Sequence, residues 1–496
     1  MTEIKKEEFI NNYNKNIPQI VSRNIITDTD TPVSAFLKIS KDEKYSFLLE
    51  SVEGGEQRGR YSLLGCDPDL IWQVKKGKIE FTYLDNNLDI EKNSETDPIK
   101  SLRKLLKNSE INREKSQPPY PILVGYLGYP MIQYIEKIKL DNPDNLNLPE
   151  AMMIRPKIAA VFDNIKDSIT IMTTVYTNNN IDAEKAYANA NNKINSVVDL
   201  IEQNIINEKK NNNIISKNEI KFESNYTKDE YYEIIKKAKK YIKEGDIFQV
   251  VPSQRFVCDY KLDAKDFYRS LRRLNPSPFL VNLNFDNFSL VASSPEILVR
   301  QRNGKVTIRP IAGTRKRGKN PEEDKFLSKD LLNDKKELAE HLMLLDLGRN
   351  DIGKVSKIGS VKVTEKMIIE YYSHVMHIVS NVEGDLEDKY DSIDALISGF
   401  PAGTVSGAPK IRAMEIIEEI ENLNRSFYGG AMGYFDSNGQ LDSCISLRTG
   451  LITKEKLYIQ AGGGIVFDSN QEKEYEETVN KAKALIYAAK DSLKYS

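Results

Sequence analysis

The chain of 496 residues is short of several features that would place it in a class at once. It has three cysteines, Cys66, Cys258 and Cys444, too few and too far apart for a disulfide framework or a closely spaced metal-ligand pair. They read as small buried apolar residues, in keeping with a reducing cytoplasm. No uninterrupted apolar run reaches the length of about 18 residues that a membrane-spanning helix needs. The start carries Glu3, Glu7 and Glu8, where an export signal would be basic and then apolar. Neither sign of charge dominates. Against 73 aspartates and glutamates stand 71 lysines and arginines, and a net charge of −2 gives no field for holding nucleic acid or an anionic membrane. Repeats at a solenoid period are missing too.

What is present has an uneven texture. The length allows about two to four domains and a sizeable core. Two polar stretches, 106–119 and 204–218, hold too few apolar residues to pack; the first predicts a surface loop, the second a boundary between residues 1–218 and residues 219–496. Before that boundary, β-like runs at 45–49 and 158–162 alternate with turn residues. Residues 164–167 read as a hairpin turn into a strand at 168–175, and 100–106 and 183–205 read as helices. After it, Thr227 with Glu230 makes a capping box, Tyr231, Ile234, Ile235, Ala238 and Ile242 share one helix face, and Gly245 ends the helix. Strands are expected at 247–251, 279–290, 306–311 and 457–461. Lacking a regular βαβ rhythm, this order predicts an α+β fold of mainly antiparallel sheets with helices packed outside.

Several groups suit chemistry. A helix over 334–345 puts Glu337 and Glu340 on one face, and a helix over 472–490 does the same for Glu474 and Glu477. Two such helices facing one cavity suit magnesium, which takes oxygen ligands and keeps several waters; solvated faces are the plain alternative. Between them, Gly462, Gly463 and Gly464 follow a strand and suit close approach of an anion, without the spacing of a nucleotide-binding loop. Of the three histidines, His341, His374 and His377, the last two fall on a strand-like run at 371–379 and would point to opposite faces. Arg315, Lys316, Arg317 and Arg448 are fixed cations suited to carboxylates, or else surface charge. Composition and spacing reach an α+β enzyme candidate acting on a metal-bound carboxylate, and no further.

Longer motifs go beyond this. Pro310-Ile311-Ala312-Gly313-Thr314-Arg315, Glu340-His341-Leu342-Met343-Leu344-Leu345-Asp346 and the run from Phe400 to Lys410 closely resemble the chorismate-utilising enzyme family. Tyr428-Gly429-Gly430 and the run from Gln460 to Gly464 continue the likeness in the same order. In the amino-terminal half, Leu48-Leu49-Glu50-Ser51, Arg60-Tyr61-Ser62 and Gly125-Tyr126-Leu127-Gly128-Tyr129 resemble the anthranilate synthase branch in particular.

The resemblance implies Glu340 and Glu477 as magnesium ligands with Glu337 and Glu474 behind them. It implies Gly313, Thr314, Tyr428, Arg448, Gly462, Gly463 and Gly464 around chorismate. Glu296, in Ser294-Pro295-Glu296, matches the acid that lets the 4-hydroxyl leave as water when ammonia attacks, and burial would have to keep it protonated. His377 matches the histidine of the pyruvate-releasing step. Water-adding relatives carry a lysine base where Gln249 stands, and a neutral amide cannot deprotonate water. The sibling leading to 4-aminobenzoate carries a nucleophilic lysine where Ala312 stands. A tryptophan feedback site is implied at Glu50 and Ser51 with Pro278, Phe279 and Leu280, the last two replacing a common tyrosine and methionine. So are a separate glutamine amidotransferase subunit, an assembly of two large and two small subunits, and a cytoplasmic location. The alternatives left open are an enzyme that stops at the aminated intermediate, the 4-aminobenzoate-branch sibling, and a catalytically silent tryptophan-binding regulator.

Overall fold

The computed structural model describes every residue except 1–3, 54–56, 86–93, 112–118, 179, 204–219, 373–374 and 496. Antiparallel pairing joins most strands into one continuous sheet system, as expected. Strand Ser46–Glu50 lies between Tyr61–Lys75 and Phe279–Phe285, and Pro121–Leu127 lies between Ala151–Asp163 and Ala431–Asp436. Strands from before and after residue 218 thus share hydrogen bonds. The stretch expected as a boundary, 204–218, lies outside the described residues, and so does half of the other polar stretch. The start of the latter, expected as loop, instead completes helix Pro98–Ser109, whose first turn is capped by Asp97.

Alternating side chains explain how the sheet is covered. Phe47, Leu63 and Val281 enter one buried cluster, while their neighbours Leu48, Leu64 and Leu280 enter another. The first gathers strand residues from both halves, including Trp72, Tyr126, Met432 and Cys444. Helices cover the second: Phe9 of Lys6–Asn14, Phe36 of Pro32–Ile39, Ile194 of Ala183–Glu202, Phe267 of Ala264–Leu274 and Leu485 of Gln471–Asp491 all reach it. A sheet apolar on both faces has its register fixed, because a one-residue slip would exchange the two sets. Each fully buried side chain of this size contributes about 1.5–3 kcal/mol.

Local signals hold closely. Thr227 and Glu230 form the capping box, and Gly245 closes helix Lys228–Glu244 at a φ of 83°. Asp163 pairs with Ser168 across the expected hairpin turn. Four strand runs differ. That at 306–311 ends as Lys305–Ile308, with Arg309 and Pro310 separating it from Ile311–Lys316. The run at 279–290 splits into the hairpin Phe279–Phe285 and Phe288–Ser294, because Asp286 and Asn287 are turn formers. The run at 247–251 keeps only Gln249–Val250, paired with Gly407–Ala408. The run at 371–379 is interrupted between Lys362–Tyr371 and Val375–Asp385, and His374 falls outside the described residues. Among the described residues no helix is long and apolar enough to cross a membrane.

Candidate active site

Glu296 follows strand Phe288–Ser294 and precedes Ile297–Arg302. Its carboxyl is buried, and burial pushes its pKa up to about 8; the Thr404 hydroxyl, the Ile311 amide and Lys481 pull weakly the other way. A carboxyl in this state is still largely protonated at neutral pH, which a proton donor requires.

His377 sits on strand Val375–Asp385 beside Ile311–Lys316, where the pairing shifts at Gly313. Gly313 has a φ of 70°, and its carbonyl turns to the imidazole. Since a carbonyl only accepts, His377 Nδ1 donates to it at 2.9 Å; the Thr314 hydroxyl lies 3.1 Å from the same nitrogen. Burial holds the imidazole pKa below its usual value, against the raising effect of that carbonyl, with Arg448 adding to the depression. The ring is therefore neutral near pH 7 with Nε2 as its basic nitrogen.

The acidic helices are Lys335–Gly353 and Gln471–Asp491, and they do approach each other. Burial lifts Glu340 to about 6, and Glu337, Glu477 and Glu474 add repulsion while Lys336 opposes it. Glu337 also lies behind Gly313, where a Cβ would come within 3.3 Å of its Oε2. Lys336 approaches Glu340 at 3.8 Å, and Lys481 pairs with Glu477 at 2.6 Å. Among the described residues no three His, Cys, Asp or Glu side chains stand close enough to hold a metal alone. Carboxylates gathered to mutual repulsion, yet too few to complete a shell, fit a cation that draws its other oxygens from substrate and water, as magnesium does.

Arg448 has a φ of 51°, rare outside glycine, and its carbonyl accepts from the Ser293 amide at 3.1 Å. Its guanidinium donates to the Lys481 carbonyl at 2.6 Å and lies near Tyr428 and Glu477. Tyr428 is buried with its hydroxyl toward the Gly462 amide. The glycine run is less open than expected, because the Gly463 amide donates to the Pro252 carbonyl at 3.1 Å. Gln249 packs over Gly464, where a Cβ would fall 2.5 Å from its Nε2.

Lys481 escaped the sequence reading, yet it neighbours Glu296, Glu477 and the Gly462 carbonyl, to which it donates at 3.0 Å. Its spacing of four from Glu477 on a helix was the available signal. Arg315 and Arg317 prove structural: Arg315 holds Asp330 and Asp334 at 2.8 Å, and Arg317 holds Asp324 at 2.8 Å. His341 is also internal, with Nε2 at 2.7 Å from the Ser380 hydroxyl and its pKa lowered to about 4 by burial.

The implied effector residues also meet. Glu50 and Leu280 are directly paired, Phe279 opposes Ser294, and Ser51 and Pro278 flank the pair. The Glu50 carboxylate accepts from Arg272 at 2.6 Å and from the Tyr268 hydroxyl at 2.6 Å, and Leu280 is buried in the helix-covered cluster.

Across residues 58–487 the chain matches the family model for chorismate binding enzymes. It is 50% identical over 477 residues to anthranilate synthase component 1 of Cereibacter sphaeroides, covering 96% of this chain and 95% of that protein. To the same component of Aquifex aeolicus it is 43% identical, covering 94% and 93% of the two chains. The crystal structure of anthranilate synthase component I from Streptococcus pneumoniae superposes with a TM-score of 0.74 at 34% identity, over 86% of this chain and 92% of that one. The menaquinone-specific isochorismate synthase of Escherichia coli shares the fold at a TM-score of 0.70 and 18% identity, over 98% of both chains. Full-length likeness of this degree leaves one assignment: the chain belongs to the chorismate-binding enzyme family, within its anthranilate synthase component I group.

Proposed function

We propose that the chain converts chorismate and ammonia to anthranilate and pyruvate, the step that leads from chorismate toward tryptophan. One observation carries the reading: a buried carboxyl held protonated beside Lys481 and a half-buried imidazole held neutral near Arg448 are linked through the Arg448 guanidinium, which donates to the Lys481 carbonyl, and through Tyr372, which meets the His377 ring and faces Glu296. In amination, ammonia forms the new C–N bond, the ring double bonds shift, and the 4-hydroxyl leaves as water with the proton of Glu296. In the elimination, Nε2 of His377 takes the ring proton at the aminated carbon. The C–O bond to the enolpyruvyl group then breaks, the ring becomes aromatic, and the departing fragment collects a proton as pyruvate.

Arg448, Tyr428 and the glycine run, with Gly313 and Thr314, orient the substrate's carboxylates and ring. Glu340 and Glu477, backed by Glu337 and Glu474, would hold magnesium, which when bound neutralises a substrate carboxylate. Gln249 has no basic group to activate water, and Ala312 offers no amine nucleophile, which favours ammonia and the anthranilate branch. In this reading residues 219–496 carry the chemistry, and residues 1–218 supply Glu50 and Ser51 to a tryptophan site shared with Pro278, Phe279 and Leu280. Ammonia comes from glutamine through a partner amidotransferase subunit, in a cytoplasmic assembly of two subunits of each kind. Purified protein with chorismate, magnesium and ammonium should release anthranilate, followed by its fluorescence, and pyruvate in equal amounts. An aminated, non-aromatic product without pyruvate would overturn the reading.

A further inference from the structure

Beside Glu296 lies a cavity of about 30 Å³, room for one water. Leu298, Ile308, Leu344 and Leu347 make its wall mostly apolar, but Glu296, Thr404 and Asp351 bring polar groups to it. The Thr404 hydroxyl oxygen is buried and, among the described residues, is off good hydrogen-bond geometry with any partner. Asp351, on helix Lys335–Gly353, is buried and holds Lys410 Nζ at 2.8 Å and Lys354 Nζ at 3.2 Å. Lys410 is largely covered, with its side chain 10% exposed, and Lys354 is half exposed. A buried ion pair stabilises a fold poorly compared with apolar residues of the same size, so this one calls for another use. Lys481 and Tyr372 also face Glu296, and Lys354 and Glu136 face Lys410, but none of these four lines the cavity.

We propose that this cavity holds the water through which Asp351, positioned by Lys410, returns a proton to Glu296 after each amination. The inference rests on the reading of Glu296 as the acid. In that step the proton leaves Glu296 at the carbon–oxygen bond that breaks, whereas the surplus proton appears on nitrogen at another ring carbon. The carboxylate left behind has to be refilled from elsewhere. Asp351 takes a proton from solvent on the Lys354 side and passes it to the cavity water, which gives one of its own to Glu296. One O–H bond breaks and one forms at each transfer. The proton shed to solvent by the new ammonium group balances the cycle. Asp351 and Lys410 touch no reacting atom and are positioning residues.

Because the route refills the acid without being needed for its first use, rapid mixing separates it from a structural role. With magnesium, ammonium and excess chorismate, Asp351→Asn should keep its first turnover within about twofold of the parent while steady-state kcat falls about tenfold or more, with KM unchanged. A burst appears, and the solvent deuterium effect grows on the steady phase alone. Gly348→Ala is the second variant, since Gly348 lines the cavity and a Cβ there meets only an Ile308 methyl at 3.4 Å, an ordinary contact. It should give the same burst, and it decides the matter if Asp351→Asn fails to fold. Absence of a burst in Gly348→Ala overturns the route, as does a first turnover that falls together with the steady state. Glu296→Gln is the control: a slowed first turnover upholds the acid, so that a missing burst then counts against the route alone. A parental first turnover in Glu296→Gln would overturn the acid and the route with it.

Discussion

Burial of Glu296 costs the fold stability, and the role proposed for it as the acid depends on that same burial. An unfolded chain ionises this carboxyl near 4.5, the folded one near 8, so the native state binds the proton more tightly. Stability therefore falls as pH rises from 4.5 toward 8 and levels off on either side. Glu296→Gln removes the titration and should stabilise the protein at pH 8.5 by about 3–5 kcal/mol, at roughly 1.4 kcal/mol per unit, with the gain fading by about pH 4. Denaturant unfolding at the two pH values measures it; an equal effect at both would contradict the burial argument. The same variant should lose about a hundredfold or more of anthranilate formation. His377→Ala should behave differently, sparing amination and slowing pyruvate loss, so that chromatography of the reaction shows an aminated, non-aromatic species accumulating. These two residues were legible only through the motifs around them. Nothing in the spacing of Glu296 foretells its burial, which depends on Leu344, Leu347 and Thr404 arriving from distant parts of the chain.

At the scale of elements, the chemistry depends on helices and one hairpin being brought together. The capping box at Thr227, the hairpin turn after Asp163 and the terminal helix were readable because each is decided within a few residues. The pairing of Ser46–Glu50 with Phe279–Phe285 was not, because sequence distance hides which sheet edge a strand joins. The convergence of the two acidic helices was legible only as a possibility, since each by itself looks like a solvated face. Glu340→Gln and Glu477→Gln should each cut magnesium-dependent turnover by orders of magnitude while circular dichroism stays parental; full activity in both would remove the proposed ligands. The hairpin Phe279–Phe285 and Phe288–Ser294 links the two proposed sites. One of its strands pairs with Glu50, and the other donates the Ser293 amide to the strained Arg448. A ligand that shifts the first strand has a short route to the guanidinium proposed to bind substrate. Ser51→Phe, which places a ring next to Glu50, should keep basal turnover and abolish inhibition by tryptophan. Inhibition equal to the parent's would place the effector elsewhere.

At the scale of the whole molecule, none of the three cysteines is suited to releasing ammonia from glutamine. That reaction needs an activated thiol, and Cys66, Cys258 and Cys444 are all buried with thiol pKa values pushed up, to about 12 for the last two. Each is held in its protonated, inert form, as small apolar residues would be. The isolated chain should therefore make anthranilate from ammonium and not from glutamine, and an added amidotransferase subunit should restore glutamine use. The pH profiles of the two modes should differ in a way set by Glu296. Free ammonia becomes abundant only toward about pH 9, whereas the acid loses its proton through about 8. The ammonium-dependent rate should thus rise and then fall, with its maximum between those two values. With the partner passing ammonia internally, the rising limb disappears and only the fall near 8 remains. Glutamine-dependent synthesis by the single chain, shown by mass spectrometry to be free of amidotransferase, would refute the division of labour. Identical pH profiles with and without the partner would refute internal delivery while leaving the chemistry at Glu296 intact.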